Sequence, residues 1–122
     1  MEPIAFRLTR EEYLAAAVCA ARTQSPLIGQ TARRVVYEDW EVFDRVRGDM
    51  TVSLAADEMH VKGACLTQTE VYALYRGCVE TRGLFVFMGD ADRFFCIPKR
   101  AMKEEHMDFL RQMFVRKMKT RR

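Results

Sequence analysis

Two apolar runs rich in aromatic residues, joined by a short polar segment, constrain the fold of this chain most. Residues 84–88 read LFVFM and residues 93–97 read RFFCI, with the turn-forming sequence GDAD between them. This pattern predicts a β-hairpin with a four-residue loop, in which Phe87 faces Phe94. Apolar side chains then lie on both faces of the hairpin, whereas a strand with one wet face alternates between apolar and polar residues. Each face therefore needs a cover.

An amphipathic helix is predicted after the hairpin, from about Lys103 to Lys119. Pro98 lacks a backbone N–H and ends the second strand of the hairpin. Apolar residues then recur at spacings of three and four, which suits a helix that packs on one face of a sheet. Acidic residues lie at the start of this helix and basic residues at its end, as the helix dipole favours. The apolar stripe comprises Met107, Leu110, Phe114 and Met118.

The N-terminal part is predicted to hold a short strand and two helices. Alternation over residues 4–8 predicts the strand. The sequence TREE then begins a helix over residues 10–22, because its Thr and last Glu can form a capping box. Residues 23–31 contain Pro and Gly and indicate a connection. The second helix is predicted over residues 32–47, where Gly48 ends it.

Three further strands precede or join the hairpin in the predicted fold. Residues 51–55 and 59–63 alternate around a polar turn, and a third strand includes residues 78–81. A turn or short helix is expected near residues 69–75. The sequence thus predicts an α+β fold, in which a small antiparallel sheet is closed by the C-terminal helix and joined by N-terminal helices.

The length and composition fit one soluble domain. A chain of 122 residues can bury a real core, so residues 1–31 and the α+β part, 32–122, are expected to form one compact unit. No run approaches the roughly 18–20 apolar residues that cross a bilayer, which favours a cytoplasmic protein. The four cysteines show no C-x-x-C spacing, so reduced thiols are expected rather than disulfides.

No catalytic, cofactor or metal site is predicted. His60 and His106 share no ligand spacing with each other or with the cysteines. Cys78 or Cys96 could be paired with His106 as a nucleophile, but the sequence shows no electropositive, exposed setting for a thiolate. The six glycines are scattered singly and form no phosphate-binding loop. The chain is therefore not expected to be an enzyme.

Positive charge is concentrated at the C-terminal end. Residues 99–122 contain nine Lys or Arg and three Asp or Glu, while the rest of the chain is slightly acidic. A basic final helix could bind an anionic membrane surface, where each basic residue contributes about 1 kcal/mol. The alternative is a solvated face that complements the helix dipole. The sequence shows no nucleic-acid-binding signature, so nucleic acid is not the favoured partner.

Residues 47–119 resemble the C-terminal domain of the bacterial YcxB-like family. The resemblance rests on RGDMTVSL, TEVYALYRGCVET, LFVFMGDADRFFCIPKRAM and the closing helix, with IPKRA as its most specific part. It departs from the family at Tyr72, where Trp is usual, and at Glu58, where Gly is usual. The family has no established activity, and the resemblance implies a pleckstrin-homology-like module, a curved sheet plugged by a C-terminal helix.

Members of this family usually carry a pair of transmembrane helices between the N-terminal helix and the C-terminal domain. Here residues 23–31 take that place, either in a natural soluble member or in a sequence that lacks the membrane hairpin. If the native gene encodes the membrane pair, the resemblance implies association with the inner membrane.

These observations predict a non-enzymatic protein-interaction or regulatory module. A partner protein or a second copy of the chain is the expected partner, and no small-molecule substrate or cofactor is indicated. The alternatives are a peripheral binder of anionic surfaces, acting through the basic helix, and a scaffold that self-associates through the apolar hairpin. The Lys-Arg pair after the hairpin either binds an anion or forms the polar joint between strand and helix. The candidate interaction residues are Phe85, Phe87, Phe94, Lys99, Arg100, Arg116, Lys117 and Lys119.

Overall fold

The computed structural model describes residues 1–22, 40–89, 93–116 and 118–120. Within these ranges the chain forms an α+β structure of three helices and two sheets. The helices are α1 (Arg10–Arg22), α2 (helical over 40–47) and α3 (Glu104–Met113). The strands are β1 (Ile4–Phe6), β2 (Met50–Leu54), β3 (Glu58–Lys62), β4 (Thr67–Val71), β5 (Gly77–Glu80), β6 (Leu84–Met88), β7 (Phe94–Pro98) and β8 (Met118–Thr120).

The strands form two four-stranded sheets. The first has the order β1-β2-β3-β4, with antiparallel pairing throughout. The second has the order β7-β6-β5-β8, in which β8 alone runs parallel to its neighbour. Short 3-10 helices, Tyr72–Leu74 and Lys99–Ala101, follow β4 and β7. The α+β prediction is confirmed at this level.

Two predicted features of the N-terminal helices are confirmed, namely the capping box that begins α1 and the glycine that ends α2. The Glu12 amide donates to Thr9 Oγ1 at 3.1 Å, and the Thr9 amide donates to Glu12 Oε1 at 3.0 Å. Gly48 ends α2 with a φ of +50°, a conformation that glycine adopts without steric cost. The predicted connection over 23–31, the start of the second helix and the proposed boundary between them lie outside the described residues.

The β6–β7 hairpin forms as predicted, but its register differs by one residue. Phe87 faces Phe95, and Met88 faces Phe94. The Gly89 amide donates to the Arg93 carbonyl at 2.8 Å. Three residues lie between these two, whereas the predicted loop had four. Because side chains alternate along a strand, the one-residue shift places Phe94 on the opposite face from Phe87.

Helices of the same chain cover both apolar faces of this hairpin. On one face, the Phe87 ring lies 5.5 Å from the ring of Phe114 at the end of α3. On the other face, Phe94 lies 5.5 Å from Tyr13 of α1, and Tyr13 in turn lies 3.9 Å from Phe43 of α2. The cover that each face of the hairpin needs is thus provided within the chain itself.

Strand β4 occupies part of a region that was predicted as a turn or short helix. The short helix is present at Tyr72–Leu74, but Thr67–Val71 pairs with β3 over five residues. The strand reads TQTEV and lacks the apolar alternation by which strands are recognised.

The final helix is shorter and more acidic than predicted. It ends at Met113, and Phe114 leaves the helical conformation with φ −105° and ψ 24°. Met118–Thr120 then forms β8 beside β5, so the predicted helix up to Lys119 is wrong. Residues 104–113 contain three acidic residues and one basic residue. The expectation of a basic final helix is therefore also wrong.

None of the helices in the described ranges has both the length and the apolar character needed to span a membrane.

Candidate binding cleft

An open cleft of about 420 Å³ lies between β4 and the turn end of the β6–β7 hairpin. The short helix after β4 forms part of its rim, and Tyr13 of α1 and Arg47 of α2 complete the lining. The volume falls within the range of roughly 300–1,000 Å³ that is usual for ligand sites. The cleft is therefore the strongest candidate for a binding site in the described part of the chain.

The face of β4 that carries Gln68 and Glu70 is polar because it borders this cleft and not the core. Gln68 and Glu70 are half-buried and line the cleft, while Thr67, Thr69 and Val71 are exposed. Gln68 Nε2 donates to Glu70 Oε1 at 2.7 Å. A strand that covered a core would carry apolar residues at these two positions, so the polar pair indicates a wetted or ligand-facing surface.

Tyr75 connects this polar pair to the core. The residue is buried, and its hydroxyl group interacts with the Glu70 side chain. Burial raises the pKa of the Tyr75 hydroxyl far above its ordinary value, and the negative charge of Glu70 raises it further, against the smaller opposing effect of Arg93 and Arg47. The hydroxyl group therefore stays protonated beside the Glu70 carboxylate.

The turn between β3 and β4 holds Arg47 at the cleft. The Ala64 amide donates to the Arg47 carbonyl at 2.9 Å, and the Cys65 amide donates to the Val46 carbonyl at 2.9 Å. These bonds satisfy carbonyls at the end of α2 that have no partner within the helix. The Arg47 guanidinium then lies 5.3 Å from the centre of the Phe43 ring.

Gly63 is required for this close approach of helix and turn. A Cβ atom at this position would lie 2.7 Å from the Arg47 carbonyl oxygen, a backbone atom that cannot move alone. We expect Gly63→Ala to lower the free energy of unfolding by about 1–2 kcal/mol, as overpacking does. Chemical denaturation measures this change. Gly83→Ala is the matched control, because a Cβ there meets no atom within 4 Å. Equal losses in the two variants would contradict this account of Gly63.

Lys99 and Arg100, the predicted Lys-Arg pair, form ion pairs with carboxylates of the same chain. Lys99 Nζ lies 2.7 Å from Glu80 Oε2, which Arg111 also contacts at 2.8 Å. Arg100 contacts both carboxylate oxygens of Glu12 at 2.9 and 3.0 Å. These contacts join the end of β7 to α1 and α3, as expected for the polar joint.

Most of the other predicted interaction residues lie away from the cleft. Phe85 and Phe87 are fully buried, so neither side chain offers a surface to a partner in this conformation. Arg116 is exposed after α3, Lys119 is in β8, and Lys117 lies outside the described residues. Phe94 lines the cleft.

Sequence reasoning missed Arg47, Glu70, Tyr75 and Arg93. No local motif marks them, because they come from three separate parts of the chain, with Glu70 and Tyr75 in the same one. The polar strand TQTEV beside an apolar YAL segment was the one local irregularity that could have pointed to this surface.

The cysteines and His106 do not form a nucleophilic pair. Cys19, Cys78 and Cys96 are buried free thiols and Cys65 is an exposed one. Burial raises the pKa of Cys96 to about 12 and that of Cys78 further, which disfavours their thiolates.

Both ring nitrogens of His106 are bound to backbone groups. Nδ1 accepts from the Lys103 amide at 2.9 Å, and Nε2 lies 2.7 Å from the Glu2 carbonyl, which assigns the proton to Nε2. Neither nitrogen is thus available to a thiol. Among the residues that the structure describes, no three His, Cys, Asp or Glu side chains are grouped so that they could hold a metal ion.

Comparisons with family models, with curated proteins and with solved structures find no match to this chain.

Proposed function

We propose that this chain is a non-enzymatic interaction module of the YcxB-like type, which acts in the cytoplasm and binds a segment of a partner protein in the cleft beside β4. The observation that carries the proposal is the cleft itself, whose lining combines exposed apolar side chains with polar and charged ones. A pleckstrin-homology-like architecture is part of the proposal. Its support is an arrangement of seven antiparallel strands in two sheets, followed by a helix that packs Leu110 and Phe114 into the core.

The rim of the cleft supports a protein partner. Leu74 is 76% exposed and Val71 is 37% exposed, and both line the cleft. Exposed apolar side chains beside a concave polar surface are typical of protein-binding sites. Within the described residues, β4 is hydrogen-bonded to no strand other than β3. An extended segment can therefore lie along the outer edge of β4, as in other cases of strand addition.

Two observations favour a protein partner over the two alternative functions. A binder of anionic surfaces was expected to use a basic final helix, but α3 carries Glu104, Glu105 and Asp108 beside Arg111. A self-associating scaffold was expected to use the apolar hairpin, whose faces the helices of the same chain cover.

We expect Leu74→Glu to weaken peptide binding at the cleft by about tenfold, which corresponds to about 1.4 kcal/mol. A charge at this exposed rim position replaces an apolar contact and leaves the core untouched. The measurement starts from display of random twelve-residue peptides on the immobilised protein. Fluorescence polarisation then gives the affinity of each selected peptide for the wild type and the variant.

Val115→Glu is the matched control, because Val115 is 73% exposed and does not line the cleft. The control should bind the selected peptides as the wild type does. The proposal fails if display enriches no peptide, or if the selected peptides bind Leu74→Glu with unchanged affinity.

A further inference from the structure

The cleft contains two guanidinium groups that no carboxylate of the described residues neutralises. Arg47 contacts the Phe43 ring and Arg93 lies at the end of the hairpin, and both line the cleft. Neither makes an ion pair with a residue that the structure describes. By contrast, several other cations are each paired with a carboxylate, namely Arg7, Lys99, Arg100, Lys103 and Arg111.

Glu70 does not substitute for a partner of these two arginines. It is the one carboxylate among the described residues that line the cleft. Its Oε1 atom accepts a hydrogen bond from the side-chain amide of Gln68 at 2.7 Å. With two cations and one anion, the described part of the lining carries a net charge of +1, which favours an anion.

We propose that the partner segment is acidic, and that Arg47 and Arg93 hold a carboxylate side chain of that segment while its apolar neighbours contact Val71 and Leu74. This inference rests on the proposed function, because it specifies the chemistry of the bound peptide. A guanidinium presents parallel N–H donors that match the two oxygens of a carboxylate, and such charge-assisted bonds are stronger than neutral ones. The aromatic residues Tyr13, Phe94 and Phe95 line the cleft together with the two arginines.

The test uses two capped peptides, acetyl-Phe-Glu-Phe-amide and acetyl-Phe-Gln-Phe-amide. They have the same size and differ by one charge. Titration of each into the full chain is followed by NMR, through the backbone amides and the arginine Nε–Hε groups. We expect the Glu peptide to bind about tenfold more tightly than the Gln peptide and to shift the Arg47 and Arg93 side-chain signals. This preference should shrink as salt is raised, because salt screens exposed charges.

Arg47→Gln and Arg93→Gln should each reduce the preference for the Glu peptide to about threefold or less, since one charge-assisted bond is lost. Arg45→Gln, exposed on the same helix, and Arg82→Gln, exposed before β6, are the matched controls and should keep the full preference. Backbone spectra of all four variants show whether the fold is retained.

Equal binding of the Glu and Gln peptides would overturn the inference and leave the proposed function standing, because the cleft would still bind a peptide. An equal loss of preference in Arg45→Gln and Arg47→Gln would also overturn it, since the effect would then follow net charge and not the cleft. Failure of both peptides to bind would overturn the acidic-segment inference, and failure of the display experiment as well would reject the proposed function.

Discussion

Replacing Phe87 with alanine is expected to lower the free energy of unfolding by about 3–5 kcal/mol. Phe87 lies in the middle of the second sheet and is fully buried. Its ring lies 5.6 Å from Tyr75, 6.1 Å from Phe95 and 5.5 Å from Phe114. Alanine removes the ring and leaves a cavity that these neighbours cannot fill. For a domain whose total stability is about 5–15 kcal/mol, this is a large fraction.

Urea denaturation followed by circular dichroism measures the loss. Leu74→Ala is the control and should change the stability by less than about 0.5 kcal/mol, since Leu74 is mostly exposed. If Phe87→Ala does not fold, Phe87→Leu provides the measurement, with a smaller expected loss of about 1–2 kcal/mol. A stable Phe87→Ala protein that has lost only partner binding would contradict the structure and restore Phe87 as an interaction residue.

The ion-pair cluster around Glu80 is expected to make the stability of this protein fall between pH 5 and pH 2. Hydrogen bonds from Arg111, together with Lys99, lower the pKa of Glu80 from 4.5 to about 2, against the opposing effect of burial. The unfolded chain therefore takes up this proton at a higher pH than the folded chain. The stabilisation is complete above the unfolded value of 4.5 and is lost as the pH falls through about 2.

We expect Glu80→Gln to be less stable than the wild type by about 2–3 kcal/mol at pH 7, after allowance for the solvent exposure of Arg111. The side chain of Glu80 is only 12% exposed, so its charge is poorly solvated without the two cations. At pH 2 much of the Glu80 carboxyl group is also neutral in the wild type. The difference in stability between the wild type and Glu80→Gln should therefore shrink. Denaturation midpoints from pH 7 to pH 2, at constant ionic strength, measure this change.

Glu105→Gln is the matched control, since Glu105 is exposed in the first turn of α3. Its stability should differ from that of the wild type by less than about 1 kcal/mol at pH 7. If the difference between the wild type and Glu80→Gln is independent of pH, the carboxylate of Glu80 is not the group that the cluster stabilises.

Elements with a local signal were predicted correctly from the sequence. The capping box at Thr9 and Glu12 lies within one turn of chain, and Gly48 ends α2 through its own backbone conformation. The apolar alternation of β2 and β3 likewise predicted their positions to within about one residue. In each case the interaction partners are close in sequence, so composition and spacing are sufficient.

Elements that depend on distant partners were missed. β4 is a strand because β3 pairs with it, although its own side chains are polar. α3 ends at Met113 without a Gly or Pro to mark the end, and Met118–Thr120 leaves the helical pattern to pair with β5. The hairpin register was wrong by one residue, because apolar residues on both faces give no alternation by which to choose between registers.

The sequence by itself therefore determined that an α+β fold with a hairpin apolar on both faces would form, since periodicity and caps are local properties. Only the tertiary structure decided that α1 and α2 cover one face of that hairpin and α3 the other. It also decided which charges remain unpaired. Glu80 lies between Lys99 and Arg111, whereas Arg47 and Arg93 both line the cleft and have no carboxylate partner among the described residues. The energy of a charge depends on its neighbours in space, and those neighbours come from distant parts of the chain.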